Sequence, residues 1–524
     1  MGSAEELGCR SRKFAQRFLR TAVVVDDKAY MSSVGDVGPN SELEVPDRST
    51  KVASEEDQIP ITPKRDQSLN AGQLMESFSA LGVICGVVGP MQSDMDVLRQ
   101  ADIVVLDWRL QEDDPQYTLR LLYELLTGEA DQRNSLRLVA IYTGEARLED
   151  IRAEIVARLK EARLDPCENE NRMVISYRHG RVVIYAKSAV NLAEPLKDRS
   201  VSEEDLPDVL IDDFSDMTEG LLPSVALTSL TAVREGEHKV LDQFSADLDP
   251  AFLAHRVCLS DPEDAERQIV NHVAEELRGL MDNTVAEESP AGADAVEGWI
   301  RRKGENMPTF QFDQREVTVN DTVKLAKKGL EKAGVLPKNA FEGLSAGFAG
   351  QIGDNLDKEL AWIMSFRTVF NAPPPTLWLG SIVTAVMDGD EQHLICMRPR
   401  CDCVRLKKRT SFLFLPLVEP TKHKEQLVIK LDQEYKRMGI ELDSSDWVLI
   451  QFNPSESSSP SPVTATKRQS DGGFEFTDTC NRLYTWRGEL TAENAQRIAQ
   501  NFATKQSRVA VDESEWLRRL ATKG

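Results

Sequence analysis

The chain has 524 residues, of which 41% are hydrophobic and 28% charged, so it is long enough for about two or three folded domains. Its 63 Lys and Arg residues against 86 Asp and Glu residues give a net charge of -23, which disfavours binding to nucleic-acid backbones and anionic lipid. Apolar runs are too short for a signal peptide or a membrane span. We therefore expect a cytoplasmic protein with no membrane partner, and nucleic acid is disfavoured as a partner.

The first predicted strand is the apolar run at 21–25, which is followed by the paired acids Asp26 and Asp27. Residues 31–69 are rich in Ser, Pro, Asp and Glu and show no hydrophobic periodicity, so they predict an inserted loop. The pattern then resumes with a helix, a strand at 82–88 and a second short helix.

Residues 103–106 are apolar without alternation, which is typical of a parallel strand buried on both faces, and Asp107 follows directly. A leucine-rich helix comes next, and then a strand at 136–142 that leads into Thr143. A long helix precedes a predicted hairpin at 173–186, whose second arm ends at Lys187. The alternation of strands and helices predicts a doubly wound parallel α/β sheet at 18–198, after a short lead-in at 1–17.

Beyond residue 198 the hydrophobic period becomes helical, which predicts a helical middle domain at 199–370. The acidic residues of its first helix, Asp205, Asp212, Asp213 and Asp216, are interpreted as a solvated helix face. Short apolar and alternating runs predict a strand-rich α+β domain at 371–524, with a mobile low-complexity loop at 455–473.

The strands of the predicted α/β sheet end in polar side chains: Asp26 and Asp27, Asp107, Thr143, and Lys187. In a doubly wound sheet these carboxyl ends converge on one crevice. Three carboxylates in one place raise each other's pKa unless a cation neutralises them, and Mg²⁺ prefers such oxygen donors. Asp107 is then a candidate nucleophile towards a phosphoryl group, which the Lys187 ammonium and the Thr143 hydroxyl would stabilise.

Over residues 18–195 this pattern resembles the receiver domain of two-component response regulators. The resemblance implies that Asp107 accepts phosphate from a histidine kinase. It also implies that Mg²⁺ is the cofactor, held by the carboxylates of Asp26, Asp27 and Asp107 and by the backbone carbonyl of Arg109.

By the same resemblance, Thr143 and Lys187 read the phosphorylated state, and Tyr185 is the aromatic residue that switches together with Thr143. Ser188 stands where receiver domains usually carry a proline. No turnover enzyme is expected beyond self-catalysed phosphorylation and dephosphorylation of the aspartate.

Two stretches, 220–227 with Arg234 and 401–405 with 412–417, resemble large receiver proteins of bacterial anti-phage defence, including the B component of Detocs-type systems. This resemblance implies a phosphate sink that limits activation of a downstream effector protein. The alternative that the sequence leaves open is an inactive receiver that serves as an interaction scaffold or adaptor without phosphotransfer.

The eight cysteines are dispersed, as expected for reduced thiols. His393, Cys396, Cys401 and Cys403 include no pair with CxxC spacing, so buried structural thiols are favoured over a zinc site, although the sequence leaves metal binding open.

Overall fold

The computed structural model divides into two compact units, Met1–Phe310 with Val317–Lys338, and Gln311–Glu316 with Asn339–Gly524. The predicted insertion at 31–69 lies outside the described residues except for its last two positions, and so do parts of the predicted loop at 455–473. The residues that the structure describes are 2–30, 68–90, 94–110, 114–127, 136–164, 166–169, 173–177, 180–313, 315–340, 343–350, 354–368, 373–387, 389–421, 425–432, 434–442, 447–456, 460–469 and 472–506.

The first unit begins with an α/β region and continues with helices. The elements of the α/β region are α1 (Gly2–Phe18), β1 (Thr21–Val25), β2 (Ala29–Tyr30), β3 (Leu69–Asn70), α2 (Ala71–Ala80), β4 (Ile84–Val88), α3 (Asp94–Gln100), β5 (Ile103–Leu106), α4 (Pro115–Thr127), β6 (Arg137–Thr143), α5 (Leu148–Glu161), β7 (Cys167–Asn169), β8 (Val174–Tyr177), β9 (Gly180–Lys187) and β10 (Ser200–Val201). The elements that follow are α6 (Leu206–Met217), α7 (Leu221–Asp242), α8 (Asp249–Cys258), α9 (Asp264–Glu288), α10 (Ala293–Asn306), β11 (Thr309–Phe312), β12 (Arg315–Thr318), α11 (Val319–Lys328) and α12 (Leu330–Ala333).

The central sheet has the strand order β4-β1-β5-β6-β9, and all four pairings among these strands are parallel. β1, the first strand of this parallel sheet, lies between β4 and β5, which are the second and third parallel strands in chain order. This is one of the common strand orders of doubly wound sheets. β8 forms an antiparallel hairpin with the first half of β9, and β10 adds a short parallel pairing to the last residues of β9, on the side away from β6. The structure confirms the predicted α/β sheet.

Helices cover both faces of this sheet because its strands carry apolar side chains on both sides. Leu98 of α3, Leu122 of α4 and Ile151 of α5 are fully or almost fully buried in one core. Phe78 of α2 and Phe214 of α6 belong to the core on the opposite face, together with residues of α1. α6 lies beyond the predicted end of the sheet domain at residue 198, yet it packs on the sheet.

The N-terminal helix α1 connects the sheet to the helical region through arginines. Arg12 pairs with Asp208 and Asp212 of α6, and Arg17 pairs with Glu235 of α7 and with Glu288 of α9. These contacts fix α1 against three helices of the first unit.

A second connection joins the helical region to the sheet edge opposite the strands' carboxyl ends. Arg234 of α7 forms an ion pair with Asp102, at 3.0 Å, and donates a hydrogen bond to the carbonyl of Phe18. Asp102 also accepts from the backbone N–H groups of Arg20 and Thr21, at 2.9 and 3.2 Å. The residue that the sequence resemblance singled out in α7 thus contributes a structural ion pair.

The second unit consists of helices and one large antiparallel sheet, as the prediction of a strand-rich α+β region requires. The sheet order is β16-β17-β15-β14-β13-β21-β20-β19, and β18 pairs with β15. Its elements are α13 (Leu344–Ala349), α14 (Asp354–Ser365), β13 (Ser381–Met387), β14 (Asp390–Cys396), β15 (Thr410–Val418), β16 (Glu425–Leu431), β17 (Glu434–Ile440), β18 (Val448–Phe452), β19 (Thr466–Lys467), β20 (Phe474–Thr477), β21 (Leu483–Glu489) and α15 (Ala492–Gln506).

Among the helices that the structure describes, none combines the length and the apolar character that crossing a membrane would require.

Candidate functional site

Two of the acids at the strand ends of the first sheet, Asp26 and Asp107, meet at a buried lysine. The Lys187 ammonium lies 2.9 Å from Asp26 Oδ2 and 3.5 Å from Asp107 Oδ1. All three side chains are less than a tenth exposed. They come together because β1, β5 and β9 run parallel, so their carboxyl ends lie at the same edge of the sheet.

Backbone N–H groups orient the two carboxylates. Asp26 Oδ1 accepts a hydrogen bond from the N–H of Lys28 at 2.7 Å, and Asp107 Oδ2 accepts one from the N–H of Arg109 at 3.0 Å. The carbonyl of Asp107 also accepts the Thr118 hydroxyl of α4 at 2.9 Å. Each acid therefore directs one oxygen to the backbone and the other to Lys187.

The electrostatics of this site are unbalanced, because one ammonium serves two buried carboxylates. Burial raises the pKa of Asp107 from its ordinary value of 3.8 to about 6. The Lys187 charge opposes this shift, and the neighbouring Asp26 carboxylate adds to it. A further positive charge at this edge would be favourable.

Asp26, rather than Asp27, shares Lys187 with Asp107. Asp27 follows it in the chain and is exposed, because successive residues at a strand end point in different directions. In the described part of the chain, no three His, Cys, Asp or Glu side chains are placed to hold a metal ion together. The convergent carboxylates of Asp26 and Asp107 are nevertheless the hard oxygen donors that suit Mg²⁺.

Thr143 ends β6 and is almost fully buried. Its hydroxyl oxygen accepts a hydrogen bond from the N–H of Glu145 at 3.1 Å. The Glu145 carboxylate in turn pairs with the guanidinium of Arg109. The ion pair thus ties the loop that follows Asp107 to the loop that follows Thr143, an arrangement that the sequence interpretation missed.

Tyr185 does not lie beside Thr143, its predicted switch partner. In the β6–β9 ladder Tyr185 is opposite Tyr142, and both side chains belong to the core on the α2 and α6 face. Thr143, the next residue of β6, is the register partner of Ala186 and not of Tyr185. The Tyr185 hydroxyl instead donates to Asp213 Oδ2 of α6 at 2.6 Å, so its pairing with Thr143 stays a prediction without geometric support.

The sequence interpretation misses two acids whose pKa is raised in the first unit, Glu203 and Asp213. The prediction of a solvated helix face is wrong for Asp213, because this residue is buried and burial raises its pKa. Burial likewise raises the pKa of Glu203, whose carboxylate accepts the N–H of Asn70 and senses the charges of Lys187 and Asp26. These two acids are buried or half-buried because they lie close to the sheet. The sequence around them does not show this proximity.

The histidine and cysteines of the second unit are spread over separate environments. His393 is buried and bonds through Nδ1 to the Thr384 hydroxyl at 2.8 Å. Cys396 and Cys403 are buried in one apolar core, whereas Cys401 is exposed. The prediction of buried thiols therefore fits Cys396 and Cys403.

A family model described as "Response receiver domain" matches residues 18–192. The match includes Asp26, Asp107, Thr143 and Lys187 and ends before β10 and α6. No curated protein and no solved structure matches the chain. This region is thus similar to receiver domains, which generally bind Mg²⁺ at an acidic phosphorylation site and interact with histidine kinases and effectors, and it supports a response-regulator-like phosphoacceptor role.

Proposed function

We propose that the chain is a cytoplasmic phosphoacceptor of a bacterial two-component pathway and that Asp107 takes a phosphoryl group from the phosphohistidine of a histidine kinase. The observation that supports this most strongly is the single buried ammonium of Lys187, shared by Asp26 and Asp107. An ammonium beside a candidate nucleophile is placed to stabilise the charge of an incoming phosphoryl group.

In the proposed step, an ionised Asp107 oxygen attacks the phosphorus atom and forms a P–O bond. The P–N bond to the donor imidazole breaks, and its electron pair stays on the imidazole nitrogen, which takes up a proton. Lys187 then moves towards a phosphoryl oxygen, and the Thr143 hydroxyl donates a hydrogen bond to another. No other covalent change is needed.

Mg²⁺ would be held by Asp26, Asp27 and Asp107 and by the backbone carbonyl of Arg109, and it would supply positive charge to the phosphoryl oxygens. Support comes from the two buried carboxylates that share one cation. We therefore expect binding of a phosphoryl mimic to depend on Mg²⁺.

The physiological setting that we propose is anti-phage defence, in which the chain acts as a phosphate sink and keeps kinase activity from reaching a downstream effector. This part rests on the resemblance of 220–227 and 401–405 to defence receiver proteins. Its test is to express kinase and effector with either the parent chain or Asp107→Asn. We expect toxicity without phage only with the variant, whereas equal growth would contradict the sink.

The phosphoacceptor site itself is tested with beryllium fluoride, a mimic of the phosphoryl group, by isothermal titration of the full chain. We expect Mg²⁺-dependent binding to the parent and none to Asp107→Asn. If the folded parent does not bind the mimic in Mg²⁺, the phosphoacceptor proposal is wrong, and an adaptor without phosphotransfer becomes the better account.

A further inference from the structure

A buried polar contact joins the strand that carries Lys187 to helix α6. The Tyr185 hydroxyl donates to Asp213 Oδ2 at 2.6 Å, and both residues are buried. The Arg199 guanidinium carbon lies 4.9 Å from the centroid of the Tyr185 ring, and Arg181 donates to the Asp213 carbonyl at 2.9 Å. A hydrogen bond from a neutral donor to a buried carboxylate is among the stronger ones in proteins, so this contact resists opening.

The same strand end connects this contact with the candidate site. Tyr185 and Lys187 are two residues apart on β9, so their side chains leave the same face of the sheet. Lys187 is also the register partner of Val201 in β10, and the Val201 carbonyl accepts the Tyr142 hydroxyl at 2.9 Å. β9 is thus paired, at Lys187, with the short strand that precedes α6.

The other side of α6 is held by α1. Asp208 and Asp212 of α6 both pair with Arg12, and Arg17 of the same α1 helix pairs with Glu288 of α9. A movement of α6 would consequently reach the helical region through α1. All of these elements lie in the first compact unit.

We propose that Tyr185 and Asp213 form an anchor that holds the β9 end in its unphosphorylated arrangement and couples the state of Asp107 to α6. The inference rests on the proposed function, because it assumes that Lys187 leaves Asp26 for a phosphoryl group. Asp213 is a positioning residue, since it acts on Lys187 only through Tyr185 and β9. Tyr185 lies within the 18–192 region that the receiver model matches, whereas Asp213 and the whole of α6 lie beyond it.

If the anchor exists, two measured quantities should change in a stated direction. Because it favours the arrangement without a phosphoryl group, Tyr185→Phe, which deletes only the hydroxyl, should tighten beryllium fluoride binding by about fivefold or more, the lower range of coupling between sites. Hydrogen exchange of the α6 amides should rise when the parent binds the mimic in Mg²⁺, and it should already be raised in unliganded Tyr185→Phe. Unchanged or weaker binding by Tyr185→Phe would overturn the anchor.

A double-mutant cycle separates the anchor from general damage. Asp213→Ala should tighten binding as Tyr185→Phe does, the double variant should add nothing further, and Asp213→Asn, which keeps an acceptor oxygen, should have a smaller effect. Glu204→Gln, at an exposed position just before α6, is the matched control and should bind as the parent does. Additive effects of the two anchor variants would contradict the inference.

The two proposals fail in different ways. If the parent binds no mimic, the phosphoacceptor function is wrong and the anchor has no role in it. If the parent binds the mimic but α6 exchange and the Tyr185→Phe affinity do not change, the function stands and the anchor is wrong. Should Asp213→Ala fail to fold, because Arg199 and Arg181 lose their acidic neighbour, Tyr185→Phe alone still decides the question.

Discussion

The ammonium of Lys187 lies 2.9 Å from Asp26 Oδ2, and both side chains are almost fully buried. Asp107 approaches the same ammonium at 3.5 Å. One cation thus compensates two carboxylates. Removing Lys187 would leave both acids buried without a counter-charge, and even with Lys187 present the two negative charges outnumber the one positive charge.

Lys187→Met should destabilise the folded chain by about 3 kcal/mol, because it leaves two buried carboxylates without a cation. Urea unfolding in Mg²⁺-free buffer at neutral pH measures this change. The loss should shrink on acidification, since protonated Asp107 needs no counter-charge. Lys197→Met, at an exposed lysine, is the matched control. Equal stability of Lys187→Met and the control would contradict the charge assignment.

Asp107→Asn should stabilise the Mg²⁺-free chain near neutral pH. In the parent chain, the pKa of the Asp107 carboxyl rises from 3.8 to about 6 on folding, so folding favours the protonated carboxyl. The stability from this group is complete below about pH 4 and is lost as the pH rises through 6, with a ceiling of about 3 kcal/mol. The amide does not titrate, so the variant's advantage should be largest near pH 7 and vanish towards pH 4.

Thermal unfolding across this pH range tests the expectation, with Asp216→Asn as the exposed control. A parent and an Asp107→Asn variant with the same pH profile would show that the Asp107 carboxyl titrates as in the unfolded chain.

Thr143→Val should weaken binding of beryllium fluoride about tenfold, which corresponds to one lost hydrogen bond from the hydroxyl. Thr143→Ser keeps a hydroxyl at the same position and should bind nearly as well as the parent. Titration calorimetry in Mg²⁺ compares the three chains. Equal affinities for the valine and serine variants would remove Thr143 from the proposed site.

Glu145→Gln should loosen the two loops that the Arg109–Glu145 pair connects and should speed phosphorylation of Asp107 by a small phosphodonor several-fold. Both side chains are more than a quarter exposed, so the expected loss of stability stays below about 1 kcal/mol. Glu149→Gln, at an exposed residue of α5, controls for the charge change. The measurement is the rate at which acetyl phosphate phosphorylates Asp107 in Mg²⁺. Identical rates for the parent, Glu145→Gln and Glu149→Gln would count against the loop connection.

The sheet and most of the site follow from the sequence, because apolar runs without alternation identify parallel strands and their last residues identify the edge. This reasoning locates Asp26, Asp107, Thr143 and Lys187 at one end of the sheet. It also predicts that Asp107 lies close to Asp27, whereas the acid that shares Lys187 with Asp107 is Asp26. Which acid reaches the lysine depends on the face to which each residue points, and this is not visible in a pair of adjacent acids.

The contact between Tyr185 and Asp213 could not be predicted from local patterns. Asp213 is one of several acids in α6, and only the packing of this helix on the sheet buries it beside Tyr185. The predicted domain boundary at 198 places α6 outside the sheet domain, and the run of acids by itself predicts a solvated helix face. Burial of a single acid depends on a tertiary contact between residues 28 positions apart.

The most direct measurement of the central claim is the location of the phosphoryl group after reaction with a phosphorylated histidine kinase in Mg²⁺. Borohydride reduction traps an acyl phosphate, and peptide mass spectrometry then identifies the modified residue. We predict one modification, at Asp107, and none in Asp107→Asn. Modification at another residue of the parent, or undiminished labelling of Asp107→Asn, would contradict the account.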